Sequence, residues 1–331
     1  MAADPFPLLT RFPILAPLAP VSLCNTPTPL QTYAGCSNLL IKRDDLSRDD
    51  QGGNKPRKLE FVLADIRRRR ATRVITLGAT GTNAGVATAL LCQREGLHCD
   101  VITFPQPDSD IVQLNQALMH EAGARLVARQ SLFTAALSWY LHPRRLDPRC
   151  YFLYAGCSAP VATFAYVNAM LELARQLREL QQSAPAHIVV AAGSGATVAG
   201  IIAGAALVMP ETRVHAVQVA PARVGPFVAC HPQVVETMVK QVWHSLHAAD
   251  PSLARQCPTH WQWHDEFYGE GYGVGTDASR QALIEGAGNG LLLEHTYSGK
   301  AFAAALKLAE QHPSTVLFWQ TFARGQRRIT S

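Results

Sequence analysis

The sequence predicts an α/β protein with two domains, whose mostly parallel, twisted sheets are flanked by helices. Two observations carry this prediction. Runs rich in valine, isoleucine and leucine alternate with helical patterns, and turns rich in glycine and hydroxyl side chains separate them, as at residues 78–83 and 193–197. Strands that alternate with helices in this way are typical of parallel sheets with helices packed on their faces.

The periodicity of the apolar residues gives the elements in order. Strands are predicted at residues 39–42, 74–77, 99–104, 125–127, 188–192, 213–219, 291–294 and 316–319. Helices are predicted at residues 56–70, 84–95, 115–122, 163–182, 198–208, 234–247, 279–286 and 301–310. The proline-rich residues 1–20 are expected to form an irregular arm, and the aromatic, glycine-rich residues 261–275 a loop that lines a site.

Composition narrows the class of protein. The chain has 331 residues, of which 48% are hydrophobic and 17% charged, as expected for a soluble globular protein. The net charge is only +5, which does not indicate the concentrated basic face that is typical of a nucleic-acid binder. No nucleic-acid partner is therefore predicted. The eight cysteines form neither a CxxC pair nor a regular framework, which fits a reducing cytoplasm.

Residues 188–209 carry no charge and are long enough to span a bilayer. The turn at residues 193–197 divides them into a strand-like run and an alanine-rich helix, the pattern of a buried α/β unit. No membrane partner is therefore predicted.

The most informative stretch is residues 51–60, where two glycines precede a helix whose first turn carries Lys55, Arg57 and Lys58. Pro56 is predicted to occupy the first helical position. Cations are unfavourable at the positive end of a helix dipole, so this placement points to a functional site. Neighbouring cations would lower the pKa of Lys55 and make its amine a nucleophile for a carbonyl carbon. The alternative is a solvated basic helix start that binds nothing.

Three turns between strands and helices are candidate ligand loops. Residues 193–197 offer backbone N–H groups and two hydroxyls to one anion, and a single phosphate suits them better than a nucleotide. Residues 80–83 form a similar cup for a carboxylate or phosphate, and residues 297–299 place hydroxyls at a strand end. Tight turns of this kind also use glycine for purely structural reasons.

Taken together and in order, the motifs resemble those of the D-cysteine desulfhydrases and 1-aminocyclopropane-1-carboxylate deaminases. These are fold-type II pyridoxal-phosphate enzymes related to tryptophan synthase β. The resemblance runs from about Thr26 to Thr321 and rests on residues 43–45, 52–60, 193–200, 271–273 and 297–300.

The resemblance implies that Lys55 binds pyridoxal 5'-phosphate as a Schiff base and moves the substrate's α-proton, with Lys58 as a nearby cation. Asn83 matches the residue that bonds the cofactor's ring oxygen, and Ser298 the partner of its ring nitrogen. The phosphate cup corresponds to Gly193, Ser194, Gly195, Ala196 and Thr197.

The same resemblance implies the residues around the substrate, a small amino acid. Tyr272 and Tyr297 match tyrosines on the substrate side and, with Thr82, are the further candidate catalytic residues. Substrate binding is expected from Thr80, Gly81, Thr82, Asn83 and Tyr272. Buried tyrosines also often only fill space, which is the alternative interpretation of both.

Several positions depart from the family pattern. Ser298 replaces the glutamate of the cyclopropane deaminases, and a neutral hydroxyl gives the weaker electron sink that suits α,β-elimination or replacement. Thr82 replaces a serine, and Val86 stands where an arginine is usual. Near the end of the chain, Gln320, Thr321, Phe322 and Ala323 replace His-Thr-Gly-Gly, so the pocket is expected to be narrower. These departures bear on the substrate rather than on the cofactor.

The predicted function is that of a pyridoxal-phosphate dependent lyase, which eliminates the β leaving group of an amino acid such as D-cysteine to give a 2-oxo acid and ammonia. The alternatives are a β-replacement synthase, a 1-aminocyclopropane-1-carboxylate deaminase and a non-catalytic pyridoxal-phosphate binding protein. The small domain is expected at residues 58–158 and the large, cofactor-binding domain at residues 1–57 and 159–331. The resemblance also suggests a homodimer.

Two other patterns in the sequence do not predict a functional site. His260 and His264 are four residues apart, but the tryptophans between them alternate as in a strand, so no metal site is predicted. Cys157 follows a glycine near the predicted domain crossover and is interpreted as a buried structural thiol.

Overall fold

The structure, a computed structural model, describes residues 4–49 and 53–322. It contains two large sheets flanked by helices and a separate two-stranded hairpin at residues 223–228. The strands are β1 (Leu30–Thr32), β2 (Leu39–Arg43), β3 (Arg73–Ala79), β4 (His98–Phe104), β5 (Arg125–Ala128), β6 (Cys150–Phe152), β7 (His187–Ala192), β8 (Arg213–Gln218), β9 (Arg223–Val224), β10 (Phe227–Val228), β11 (Trp261–His264) and β12 (Val316–Gln320). The helices are α1 (Pro7–Arg11), α2 (Asn54–Arg68), α3 (Asn83–Glu95), α4 (Asp110–Glu121), α5 (Leu132–Tyr140), α6 (Pro160–Glu179), α7 (Ala196–Val208), α8 (Pro232–Ala249), α9 (Asp277–Gly288) and α10 (Ser298–Gln311).

The larger sheet has the strand order β1-β2-β12-β7-β8-β11, and the smaller one the order β5-β4-β3-β6. Only β1 runs antiparallel to its neighbour in the larger sheet, and all pairs of the smaller sheet are parallel. The mostly parallel α/β architecture predicted from the sequence is therefore confirmed. The smaller sheet lies inside the predicted domain at residues 58–158, while the domain boundaries themselves stay a prediction.

Helices α6 and α7 form the centre of the larger core. Tyr166 of α6 is fully buried, and so is most of α7. The two helices approach closely because α7 has glycines at the contact: a Cβ on Gly200 would lie 2.4 Å from Thr163 O, and one on Gly204 2.5 Å from Met170 Cβ. Residues 188–209 thus form a strand and a helix, as predicted, and no described helix is both long and apolar enough to cross a membrane.

Two predicted elements are wrong. Residues 291–294 form no strand, because the carboxylate of Glu294 turns to the start of α10, where it accepts the N–H groups of Thr296, Tyr297 and Ser298. The N-terminal arm is not irregular: it contains α1 and a 3-10 helix at Pro13–Leu18, and Leu8 is fully buried. Proline is well tolerated at the first position of each short helix.

Other elements were missed or displaced. Helix α5 and the short strands β1, β6, β9 and β10 were not predicted. The first four residues of the predicted loop 261–275 form the edge strand β11. Helix α2 begins at Asn54, two residues before Pro56, with Gly53 as its N-cap. The predicted glycine at position 52 lies outside the described residues.

Candidate active site

A cleft between the two sheets holds about 1360 Å³ of empty space, including the part open to solvent. It lies at the carboxyl ends of strands from both sheets, where ligands bind in open α/β folds. The residues after β3, β7, β8 and β12 all contribute to its lining, among them Thr82, Gly193, Val219 and Thr321.

Lys55 lies in this cleft on the first turn of α2. Its side chain is half-buried, and Nζ is 5.7 Å from the centroid of the Tyr297 ring. Burial lowers the pKa of Lys55, while the charges of Cys157 and Glu294 raise it. The predicted direction of the pKa shift is right, but its main cause is desolvation rather than the neighbouring cations.

Arg57 does not act as a free cation beside Lys55, because it is engaged in a buried ion-pair network. Its guanidinium lies 2.9 Å from Asp44 Oδ1 and 2.9 Å from Glu172 Oε2, and only 1% of its side chain is exposed. Lys42 Nζ lies 2.6 Å from Glu172 Oε1 in the same network. These contacts hold the start of α2 against β2 and α6, so Arg57 positions the helix that carries Lys55.

The turn before α7 has the features of an anion cup. Gly193, Ser194 and Gly195 line the cleft, and Gly195 adopts a left-handed backbone with φ of 91°. No described side chain caps the N-terminus of α7, so its first N–H groups are available to a ligand. Thr197 also lines the cleft, whereas Ala196 is buried beneath it.

Lys58 adds a cation to this cup. Its Nζ donates a hydrogen bond to the carbonyl oxygen of Gly156, and Ser194 Oγ would lie 2.5 Å from a Cβ on Gly156. Ser158 Oγ is 2.6 Å from Ser194 Oγ on the same side. Burial, followed by the charge of Lys55, lowers the pKa of Lys58 to about 7. A bound anion would restore the charged form of Lys58. The sequence predicted Lys58 only as a cation near Lys55.

Further amide and hydroxyl groups line the cleft, among them those of Asn54, Thr82 and Asn83. Asn83 Oδ1 accepts a hydrogen bond from Asn115 Nδ2 at 2.8 Å, which leaves the Asn83 amide nitrogen as a donor for a ligand. Thr82 is the N-cap of α3, and its Oγ1 accepts from Gly85 N at 3.2 Å. Asn54 Nδ2 donates to Thr197 Oγ1 at 3.1 Å, while its buried Oδ1 has no partner among the described residues.

Tyr272 and Tyr297 meet at the cleft and share a hydrogen bond between their hydroxyl groups. Burial raises the pKa of Tyr272 to about 12 and that of Tyr297 well above its usual value. Both phenols are therefore neutral near pH 7, and the pair retains one proton beyond the shared one to donate.

Ser298 lies beside the cleft rather than in its lining and is 1% exposed. Its Oγ donates to Glu294 Oε1 at 3.1 Å and accepts from Glu294 N at 2.9 Å. Glu294 is not among the site residues predicted from the sequence. An acid just before a helix was the available signal, since carboxylates stabilise the N-terminal end of a helix dipole.

The remaining predicted site residues have structural contacts. Thr80 Oγ1 donates to Phe104 O at 2.8 Å, and Gly81 packs against Val112, so neither of these two residues lines the cleft. Val86 is fully buried in the core of the smaller sheet, so the arginine it replaces has no counterpart in the cleft. Phe322 does line the cleft, as expected, whereas position 323 lies outside the described residues.

The other two interpretations concern His264 and Cys157. His264 hydrogen-bonds to His215 at 2.9 Å and to Glu266 at 2.8 Å. Among the described residues, no group of three or more histidine, cysteine or acidic side chains is placed to hold a metal ion. Cys157 is fully buried, with its sulfur 3.6 Å from Thr88 Oγ1, and burial raises its pKa. The prediction of a buried structural thiol is confirmed.

The donors in the cleft fit a phosphorylated aldehyde. Lys55 offers an amine that can react with a carbonyl carbon, and the uncapped start of α7 with Lys58 offers a site for a phosphate dianion. Asn83 offers an N–H donor between these two ends. This combination matches the reactive groups of pyridoxal phosphate.

Comparisons with known proteins agree with this chemistry. A family model described as pyridoxal-phosphate dependent enzyme matches residues 21–321. D-cysteine desulfhydrases from Salmonella schwarzengrund and Salmonella paratyphi B are each 31% identical over 314 residues, covering 90% of this chain and 89% of theirs. The crystal structure of an ACC deaminase homologue superposes with a TM-score of 0.75 at 25% identity and covers 97% of this chain and 95% of its own.

The processed form of threonine deaminase isoform 2 from Solanum lycopersicum shares the fold, with a TM-score of 0.62 at 14% identity over 98% of this chain and 91% of its own. The chain belongs to the family of pyridoxal-phosphate dependent enzymes and has the two-sheet, fold-type II architecture of its lyases and deaminases.

Proposed function

We propose that this enzyme catalyses α,β-elimination on a small amino acid with a β leaving group, in the manner of a D-cysteine desulfhydrase. The products are a 2-oxo acid and ammonia. The observation that carries the proposal is the position of the Lys55 amine, which shares one cleft with an uncapped anion cup and lies 5.7 Å from the ring of a neutral tyrosine.

Bound pyridoxal phosphate supplies an electron sink for the electron pair released at the substrate's α-carbon. The chain's own groups supply the rest. Lys55, with its pKa lowered by burial, accepts the α-proton. The start of α3, where Thr82 and Asn83 line the cleft, favours the substrate's carboxylate because a helix N-terminus attracts anions. The Tyr272–Tyr297 pair donates a proton to the leaving group.

The proposal favours elimination over opening of a cyclopropane ring. Position 298, where the family resemblance puts the partner of the cofactor's ring nitrogen, carries a serine. Its hydroxyl lies beside the cleft lining and donates to Glu294 Oε1 at 3.1 Å, so it offers no carboxylate of its own to hold that nitrogen protonated. A second candidate, β-replacement, draws support from Phe322, which is 5% exposed and narrows the cleft near Thr321. A narrow cleft would hinder water and favour a bound nucleophile.

The test is release of ammonia and 2-oxo acid by the cofactor-loaded protein. The substrates are both enantiomers of cysteine, serine, cysteate and chloroalanine, with aminocyclopropane carboxylate beside them. Turnover of one enantiomer of cysteine or chloroalanine is expected, and Lys55→Ala should abolish it. Lys240→Ala is the matched control, because Lys240 is an exposed lysine on α8.

Borohydride reduction followed by peptide mapping identifies the residue that carries the cofactor. The expected adduct is on Lys55, and an adduct on Lys58 or on no lysine would contradict the proposal. Ammonia that appears without an external thiol or other acceptor supports elimination. Product formation that requires such an acceptor would favour β-replacement.

A further inference from the structure

One part of the cleft has a different character from the site described above. Its lining contains an apolar annex formed by Leu132, Ala136, Tyr140, Val224, Phe227 and Ala229. None of these residues is charged, whereas the part around Lys55 carries lysine, asparagine, serine and threonine side chains. The annex residues come from α5 and from the β9–β10 hairpin, so both domains contribute a wall.

The two walls touch each other at the mouth of the cleft. The rings of Tyr140 and Phe227 stack at a centroid distance of 5.3 Å with an interplanar angle of 23°. Phe133, the neighbour of Leu132, packs so closely on the hairpin that its ring would lie 2.7 Å from a Cβ on Gly225. The annex is therefore a formed surface and not a gap between unrelated loops.

Core packing does not explain the annex. The opposite face of α5 already packs the helix against the core of the smaller sheet, where Ala135 and Trp139 are buried. The annex face instead leaves Tyr140 39% exposed and Phe227 36% exposed. Large apolar side chains that remain exposed beside a ligand cleft are typical of a binding surface.

The few polar atoms nearby are already engaged. Cys230, which follows Ala229, donates its thiol to Ala192 O at 2.9 Å. Burial, followed by the neighbouring hydroxyl of Tyr140, raises the pKa of Tyr154 to about 12. A ligand group placed in the annex would meet hydrocarbon and aromatic surface and no charge. Such a surface selects an apolar group.

The annex is continuous with the reactive part of the cleft. Ala229 of the annex, the adjacent Cys230 and Tyr297 all line the same cleft. The ring of Tyr297 is in turn the surface that faces Lys55 Nζ at 5.7 Å. The annex and Lys55 line one continuous cleft, so a substituent on the β-carbon of a substrate held at Lys55 can extend into the annex.

We propose that the annex binds an apolar substituent on the leaving group, so that the preferred substrates are S-alkyl or S-aryl cysteines rather than cysteine itself. This inference rests on the proposed elimination. The step breaks the Cα–H bond and the Cβ–S bond. The proton passes to Lys55, the C–H electron pair forms the Cα=Cβ bond, and the C–S pair leaves with sulfur, which takes a proton from the Tyr272–Tyr297 pair and departs as a thiol. Water then converts the released enamine to the 2-oxo acid and ammonia.

The test compares cysteine, S-methylcysteine and S-benzylcysteine, each as both enantiomers, on the cofactor-loaded enzyme. For the enantiomer that is turned over, kcat/KM should rise from S-methyl to S-benzyl by on the order of tenfold or more, as expected for an apolar group that fills a pocket. Calorimetric dissociation constants for the same ligands should follow the same order, which gives a second measurement independent of turnover.

A variant that fills the annex separates it from the reactive site. Ala136→Phe should reduce the advantage of S-benzylcysteine over S-methylcysteine by about tenfold in kcat/KM. Leu137→Phe is the matched control, because Leu137 lies on the same helix, is 38% exposed and is outside the lining. It should leave the ratio unchanged. Thermal unfolding of both variants checks that each is folded.

The outcomes distinguish the two proposals. If no amino acid is turned over and no adduct forms on Lys55, the proposed function fails. If cysteine is turned over but the ratio of S-benzyl to S-methyl stays near one, or Ala136→Phe lowers all substrates equally, the annex proposal alone is overturned. Self-association of the wild-type protein that Phe227→Ser abolishes, without any preference for S-benzylcysteine, would show that a second copy covers the annex instead.

Discussion

The side-chain nitrogen of Lys58 donates a hydrogen bond to the carbonyl oxygen of Gly156. This contact joins the helix that carries Lys55 to the chain crossing between the two sheets, directly beside Ser194 of the anion cup. Lys58 is 1% exposed and lines the cleft, so its charge has no solvent to stabilise it. Its amine is therefore set up to gain a proton when an anion enters the cup.

Lys58→Met should weaken the binding of pyridoxal phosphate by about 10- to 100-fold, the loss expected for one charge-assisted hydrogen bond. In the wild-type protein without cofactor, inorganic phosphate should bind more tightly as the pH falls through about 7, because Lys58 becomes charged there. Calorimetry between pH 6 and 8 measures both effects. Lys240→Met is the control, and an unchanged pH dependence in Lys58→Met would contradict the assignment.

Gly156→Ala should lower stability and weaken cofactor binding together. The backbone at Gly156 has φ of 70°, and a Cβ there would lie 2.5 Å from Ser194 Oγ. Left-handed strain alone costs about 1 kcal/mol, and displacement of Ser194 adds to it. Gly96→Ala is a matched control, since Gly96 has φ of 66° with nothing within 4 Å of its Cβ position. Urea unfolding should show a larger loss for Gly156→Ala, which alone should reduce cofactor affinity.

Arg57→Met should destabilise the protein by about 3–5 kcal/mol. It leaves the buried Asp44 with neutral hydrogen-bond donors but without its cationic partner, and Glu172 with Lys42 in place of two cations. Arg280→Met is the control: Arg280 pairs with Asp277 on the exposed surface, where ion pairs contribute about 0–1 kcal/mol. The free energies of unfolding in urea give both values. A loss below about 1 kcal/mol for Arg57→Met would show that the network contributes little.

The strands that the sequence predicted best are those buried on both faces. Continuous apolar runs such as that in β7 (His187–Ala192) identify themselves, because both faces of a parallel sheet are covered by helices. Strand β6 (Cys150–Phe152) was missed because three residues give no period. Helix α5 was missed because apolar residues occur on two of its faces, one turned to the core and one to the cleft.

In the candidate site, too, local features were predicted from the sequence and features that depend on distant residues were not. Residues that belong to a short local motif were predicted from the sequence. Lys55 and the turn at 193–195 are two such cases, and both line one cleft. The engagement of Arg57 by Glu172 depends on residues 115 positions apart, which no local pattern reveals. The burial of Val86 is likewise a tertiary property that the sequence does not reveal, and the effect of this departure on the substrate stays a prediction.

A row of histidines crosses β7, β8 and β11, and it should make the protein less stable as the pH falls. His187 Nδ1 lies 3.0 Å from His215 Nε2, and His215 Nδ1 lies 2.9 Å from His264 Nε2. Burial, followed by the charges of His264 and His187, lowers the pKa of His215 to about 3. Arg213 and His312 act in the same direction. Both ring nitrogens of His215 are thus engaged inside the row.

The direction of this pH dependence of stability follows from the two pKa values of His215, one in the unfolded chain and one in the folded protein. The unfolded chain takes up a proton near pH 6.5, whereas the folded protein resists it down to about pH 3, so the unfolded state binds more protons between these values. The contribution of His215 is therefore complete above about pH 6.5 and is lost as the pH falls, by about 2 kcal/mol at pH 5.

Urea unfolding at pH 7.5 and pH 5 of the wild type and His215→Gln measures this contribution. His215→Gln keeps polar atoms but does not titrate, so it should remove about 2 kcal/mol of the pH dependence even if it lowers stability at pH 7.5. His98→Gln is the control, because His98 is an exposed histidine of β4, outside the row. An equal pH dependence in wild type and His215→Gln would mean that His215 is not the group responsible.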